Sequence, residues 1–255
     1  MKKTFKSVYI ALILLFLYAP IAVMIALSFN ASKSRAVWGG FSLTWYAQLF
    51  DSLEIMQALQ VTLTVAVLAT LVATVIGSLG AIGIHAMKTG RANALINLSY
   101  LSMTTPDIAT GVSLMLMFVF MKIPLGWGTM LMAHIAFDTP YVLFSVLPKL
   151  RQMNPSTYEA ALDLGCKPGK ALRKVILPQI MPGIVTGALL SFTMSLDDFV
   201  ISYFTSNTDQ NLSMIVYSAA KLGVEPTMYA VSTLMFLVIL ALLLIINRRS
   251  KLEEI

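Results

Sequence analysis

Apolar runs of about twenty residues alternate along the chain with short polar stretches, a pattern that predicts membrane-crossing helices rather than a soluble core. The runs place six spans at about 8–29, 58–84, 100–122, 127–147, 183–204 and 228–246, within one domain over residues 1–255. Ahead of the first run lies a basic leader (Lys2, Lys3, Lys6). The run is too long for a secretory signal and lacks a small-x-small cleavage site, so it reads as a retained span. Trp38, Trp45 and Tyr46 in the following polar stretch suit a membrane interface. In the second span Ala69, Ala73, Gly77 and Ala81 recur every fourth residue, a smooth stripe against which another helix can pack closely. The third span is broken by Thr104-Thr105-Pro106-Asp107 and the fourth by Asp138-Thr139-Pro140, while the fifth carries Ser195-Leu196-Asp197-Asp198.

One long polar segment, about 148–182, separates the fourth and fifth spans. Ser156 and Glu159 have the spacing of a helix-starting capping box. Gly165 predicts a helix stop at positive φ. Pro168 fits the first turn of a second short helix, which Pro178 is expected to end by removing an amide donor. Ala160, Ala161 and Leu164 share a face of the first helix, and Leu172, Val175 and Ile176 share one on the second. The prediction is a helical knob with apolar faces and a basic flank of Lys167, Lys170, Arg173 and Lys174.

Composition agrees: 58% of the residues are hydrophobic and 12% charged, which excludes an ordinary soluble domain. The net charge of +6 would suggest nucleic acid in a soluble protein. Here fourteen of the eighteen Lys and Arg fall in the leader, the 85–94 turn, the 148–182 segment and the tail, leaving Lys33, Arg35, Lys122 and Lys221 opposite. Positive-inside bias then puts both termini and the long segment in the cytoplasm, and the charge is a topology signal. The single cysteine, Cys166, excludes an internal disulfide and reads as inert. His85 and His134 are isolated and lack metal-ligand neighbours.

The chain carries no ATP chemistry of its own. Its nearest approach to a phosphate loop, Gly165 to Ala171, is one residue short between the glycines and has Ala where Ser or Thr must meet magnesium. Four acids, Asp107, Asp138, Asp197 and Asp198, fall in or near the spans, with no Lys or Arg inside the spans to pair them. Each costs roughly 2.5–3.5 kcal/mol at a helix centre on insertion scales, which disfavours an unpaired lipid-facing position. A hydrogen-bonded acid or a water-filled path for cations solves this. Asp197 and Asp198 are adjacent, hence about 100° apart on a helix, and cannot face one pore equally.

Glu159-Ala160-Ala161, three residues, Gly165, nine residues, then Val175, any residue, Leu177-Pro178 resembles the EAA loop of ABC-importer permeases, with Val175 where Ile is usual. The stretches Ser102–Ile108, Ser191–Phe199 and Tyr158–Pro182, with Asn30, Ile215, Tyr217, Gly223 and Val224, are similar to the spermidine/putrescine permease family of the PotC type. That resemblance implies an all-α, six-helix, type I ABC-importer permease fold in the bacterial inner membrane. It implies a second, PotB-like permease, two copies of a PotA-like cytoplasmic ATPase that bind the ATP and magnesium, and a PotD-like extracytoplasmic polyamine-binding protein. Glu159, Ala160, Ala161, Gly165, Val175, Leu177 and Pro178 would form the ATPase-coupling loop, and Asp107, Asp197 and Asp198 the cation route. No cofactor in this chain, no catalytic residue and no nucleic acid are implied.

A permease of the same type for iron, thiamine, phosphonate or a sugar stays open, opposed by the Pro106-Asp107 and Asp197-Asp198 stretches. A proton-coupled secondary transporter predicts inverted repeats that the two halves do not show. An intramembrane enzyme lacks a nucleophile–base pair.

Overall fold

The computed structural model describes residues 2–223 and 225–252. Met1, Val224 and residues 253–255, which the leader, the closing stretch of the family resemblance and the tail include, lie outside them. The described residues are helical apart from loops and one isolated antiparallel bridge, Asn30 to Phe41. In order, the helices are α1 (Lys2–Ser28), α2 (Thr44–Asp51), α3 (Leu53–His85), α4 (Thr89–Thr104), α5 (Asp107–Phe120), α6 (Trp127–Gln152) and α7 (Pro155–Asp163). Then come α8 (Pro168–Ala171), a π-helical turn (Leu172–Ile176), α9 (Leu177–Asp197), α10 (Val200–Thr205), α11 (Leu212–Leu222) and α12 (Pro226–Leu252).

Among the described residues five helical stretches are long and apolar enough to cross a membrane, and α4 with α5 supplies a sixth only as a pair bent by 105°. The single crossing expected at about 100–122 is therefore two helices meeting at Thr105-Pro106. Pro106 denies its predecessor the helical region, and Thr105 is extended at ψ 134°. The fifth span also differs from the expected 183–204. Helix begins at Pro168 and runs without interruption to Asp197, then breaks before α10. Pro178 does not end a helix. The π turn just ahead of it, in which the Leu177 amide donates five residues back to the Leu172 carbonyl, widens the helix where the proline ring would otherwise crowd it.

The chain forms two compact units, residues 57–214 with 241–255 and residues 1–56 with 215–240. In the smaller unit Asn30 is buried and organises the loop after α1. Its Oδ1 accepts from the amides of Ser32 (3.1 Å) and Gly39 (2.7 Å), and its Nδ2 donates to the carbonyls of Ser34 (3.2 Å) and Val37 (2.9 Å). Trp45 is buried there as well, its indole N–H donating to the Asn30 carbonyl at 2.6 Å, so it packs the loop after α1.

In the larger unit α3, α6 and α9 pack through the predicted stripe. Ala69, Ala73 and Ala81 are fully buried. A Cβ on Gly77 would stand 2.7 Å from Val142 Cβ and 2.8 Å from the Thr139 carbonyl, and one on Gly187 would stand 2.9 Å from Val142 Cα. Two glycines thus bring helices from both sides onto the same turn of α6. Ala73, Val142, Val146, Leu150 and Ile180 fill the core around them. Because lipid is as apolar as these side chains, close van der Waals fit holds the three together.

Gly77→Val and Gly187→Val are expected to cost about 1–3 kcal/mol each through overpacking. Thermal unfolding in detergent should show a lowered midpoint for both, whereas Gly83→Ala, facing open space, should leave it unchanged.

Candidate functional site

The 148–182 segment folds as a projecting knob. Its first helix, α7, is capped by Asn154, whose Oδ1 accepts from the Ser156 amide at 3.0 Å, with Pro155 at the first helical position. That replaces the expected capping box of Ser156 and Glu159: the cap lies two residues earlier, where proline pre-sets the helix. α7 ends as expected on Gly165 at φ +80°. The Gly165 amide donates to the Leu162 carbonyl (2.8 Å) and the Cys166 amide to the Ala161 carbonyl (3.0 Å), the paired bonds of a Schellman motif. Pro168 opens α8 as expected.

Glu159, Ala160, Gly165 and Pro178 are exposed, and Ala161, Val175 and Leu177 are half-buried against the bundle. Leu164, one turn beyond Ala160, is 89% exposed. The knob therefore offers a small apolar tip beside the basic flank. Behind it lies a cavity of about 560 Å³ lined by His85 of α3, Leu150 of α6, Tyr158 and Glu159 of α7, and Leu172 and Ile176.

The acids divide by environment. Asp107 is the first residue of α5, after the Pro106 break, and is exposed. Asp197 is the last residue of α9 and is exposed. Asp198 turns inward, its side chain only 7% exposed. Its carboxylate accepts from the amides of Ile201 (3.2 Å) and Ser202 (2.8 Å) and from Ser202 Oγ (2.9 Å), which caps the first turn of α10. The sequence could not choose between Asp197 and Asp198; the fold separates them, one facing out and one capping.

His134 joins the same network from α6. Its Nδ1 lies 2.6 Å from Ser195 Oγ, and its Nε2 lies 2.9 Å from Ser202 Oγ and 3.5 Å from Asp198 Oδ2. Asn211 closes the far side, donating to the Asp198 carbonyl and to Ser202 Oγ, both at 2.8 Å, while its Oδ1 accepts from the Met214 amide. Thr62 of α3 accepts from the Leu212 amide at 2.8 Å. Every polar end exposed by the break at Asp198-Phe199 that these bonds reach is thus satisfied from within the protein. The isolated histidine of the sequence is an anchor of this network. Asn211 had no signal at all, and Ser202 had only its four-residue spacing from Asp198.

The two breaks lie in neighbouring elements. Gly111, one turn into α5 from Asp107, faces Phe204, Val200 and Ile201 of α10. Tyr141 of α6 lies within electrostatic reach of both Asp107 and Asp138. Asp138 is fully buried in the middle of α6. No cluster of metal-ligating side chains occurs among the described residues.

The family model described as binding-protein-dependent transport system inner membrane component matches residues 73–251. The chain is 36% identical over 241 residues to the spermidine/putrescine transport system permease protein PotC of Haemophilus influenzae, covering 94% of each. It is 38% identical over 229 residues to the putrescine transport system permease protein PotI of Escherichia coli, covering 86% of this chain and 81% of the relative. Its fold resembles a chain of a bacterial ABC transporter that imports the acidic polysaccharide alginate, with a TM-score of 0.73 at 17% identity over 95% of this chain and 92% of the other. An all-helical body with the ABC-importer permease fold agrees with each of these. The chain belongs to the family of binding-protein-dependent transport system inner membrane components, as a multi-pass permease and not an enzyme.

Proposed function

We propose that this chain is one permease subunit of an ATP-driven importer carrying spermidine or putrescine across the bacterial inner membrane, with both termini and the knob in the cytoplasm. A PotB-like sister subunit completes the path, two copies of a PotA-like ATPase hold the ATP and magnesium, and a PotD-like protein delivers the polyamine. The observation that carries the solute class is the identity to PotC and PotI over most of the chain. It is joined by two exposed carboxylates, Asp107 and Asp197, at helix breaks of spans whose apolar stretches hold no Lys or Arg.

On this reading the ATPase grips the knob at Glu159, Ala160, Ala161 and Gly165, and Val175, Leu177 and Pro178 tie the knob to the bundle. The uninterrupted helix from Pro168 to Asp197 supports it: at 1.5 Å per residue it is a strut of about 45 Å joining the knob to the break beside Asp198. Displacement at one end can be passed to the other along one unbroken stretch of helix. Asp107 and Asp197 hold the polyamine ammonium groups through charge-assisted hydrogen bonds, and Asp198 serves the route indirectly by holding the break in shape.

Gly165→Val forces a β-branched residue to φ +80° and should distort the knob. Uptake by reconstituted importer is expected to fall while the variant still inserts and the ATPase still hydrolyses ATP. Normal uptake would remove the knob from coupling.

Asp107→Asn and Asp197→Asn should each reduce radiolabelled spermidine or putrescine uptake roughly tenfold to a hundredfold, the loss of a charged hydrogen bond of about 1.5–3 kcal/mol, with thermal stability unchanged. Asp198→Ala should behave in the opposite sense, lowering the unfolding midpoint by losing a cap of about 1 kcal/mol or more. Unchanged uptake in both Asn variants would take these carboxylates off the route.

A further inference from the structure

Asp138 is a carboxylate that the transport reading does not use. It is 0% exposed at the middle of α6, and neither Oδ1 nor Oδ2 closes a hydrogen bond with any described residue. Hydroxyls lie close by. Ser191 of α9 is near enough to bear on the carboxyl without closing a bond to it, and Ser191 Oγ lies 3.5 Å from Thr70 Oγ1 of α3. Thr70, Thr74 and Ser78 follow one another every four residues along α3, and Thr74 Oγ1 and Ser78 Oγ are likewise buried without a partner. The packing register sets them level. Gly77 and Gly187 meet α6 at Val142, so Thr74 and Ser191 fall about one turn away, beside Asp138.

The charged and titratable groups around this junction are few. On α6 itself His134 is already bonded to Ser195 and Ser202, and Tyr141 lies one turn on. α9 and the break beyond it bring Asp197 and Asp198, the latter close enough for its charge to act on Asp138. α5 brings Asp107, α4 brings Tyr100 and α10 brings Tyr203, while α3 has no titratable side chain between Glu54 and His85. An ionised Asp138 would face a second carboxylate, Asp198, across the junction, with the Ser191 hydroxyl nearby. A neutral carboxylic acid fits the same place, because its O–H can donate to a hydroxyl and its carbonyl can accept from one.

We propose that Asp138 is a proton-binding site: in the packed junction of α3, α6 and α9 it is held as the neutral acid, with the Ser191 hydroxyl as the nearby group to which its O–H can donate. It releases the proton to water only when the three helices separate and water enters. The sign of the pH effect follows. Protonation favours the packed junction, so raising the pH shifts the subunit towards the separated, hydrated arrangement, and this linkage vanishes in Asp138→Asn, which stays neutral at every pH. Nothing in this depends on which solute is carried.

The test is isotope-edited infrared spectroscopy of the complete importer in lipid nanodiscs, together with the pH profile of uptake. The wild type at neutral pH should show the carbonyl stretch of a protonated carboxylic acid. That band should move on ¹³C-carboxyl labelling of aspartate, disappear at alkaline pH and be missing in Asp138→Asn. The alkaline limb of the wild-type uptake profile should flatten in the same variant. If Asp138→Asn fails to insert, Asp138→Glu takes its place: the band should then cease to respond to aspartate labelling and respond to glutamate labelling. Absence of the band from the wild type at neutral pH overturns the proposal whatever the variants do. So does a band that survives Asp138→Asn, or uptake by the wild type that requires sodium or potassium and loses that requirement in Asp138→Asn, which would make the ligand a metal cation instead.

Discussion

A backbone amide or carbonyl left unpaired in hydrocarbon is costly, and this constraint governs where the chain can depart from helix. The break at Asp198-Phe199 shows the solution. The Asp198 carboxylate takes the amides of Ile201 and Ser202, and Asn211 takes the Asp198 carbonyl. His134 and Ser195 then fix the assembly to α6 and α9. Remove that network and the 191–205 stretch has no reason to bend, since a continuous helix would satisfy its backbone without help. The break at Thr105-Pro106 is of another kind. No side chain caps α5, and Asp107 there is exposed. It depends on proline to forbid the straight course and on neighbouring solvent or protein to meet the freed groups.

Between the breaks the bundle is tight. Gly77 and Gly187 place α3 and α9 against the same turn of α6, leaving no room even for a methyl group. Such packing is bistable rather than compliant, because a small displacement either keeps the interlock or loses it. The packed part of α9 is thereby interlocked with α6 and α3, which suits the proposed drive from the knob.

Much of this was legible in the sequence, for identifiable reasons. Gly165, Pro168 and the Ala69–Ala81 stripe act through local geometry, and local geometry can be read one residue at a time. Their predicted local geometry appears in the structure: Gly165 at positive φ, Pro168 opening α8 and the alanines of the stripe buried. Pro178 misled because its meaning depends on the preceding turn: a π turn at Leu172–Ile176 accommodates the ring, and no residue type announces one. Ser156 has the right chemistry for a cap, but Asn154 followed by Pro155 outcompetes it. Trp45 looked amphipathic, yet its N–H found a buried carbonyl fifteen residues back. The longest bond of the His134–Ser195–Ser202–Asn211 network joins residues 68 positions apart, and such a meeting is decided by the packing of α6 on α9, which the periodicity of neither helix specifies.

Position on the helix dipole finally distinguishes the acids that the sequence could only group. Asp107 opens α5, where the partial positive charge of a helix N-terminus already favours a carboxylate. Asp198 caps α10 and is bonded to two amides and a hydroxyl. Asp197 closes α9, where the partial charge is negative, and its neighbour Asp198 adds a like charge. Of the three it has the least compensation from the protein and is exposed. A carboxylate so placed gains most from a mobile cation arriving at it. On the proposed reading, polyamine ammonium groups would be drawn past Asp107 towards Asp197, at the far end of the helix that begins in the knob.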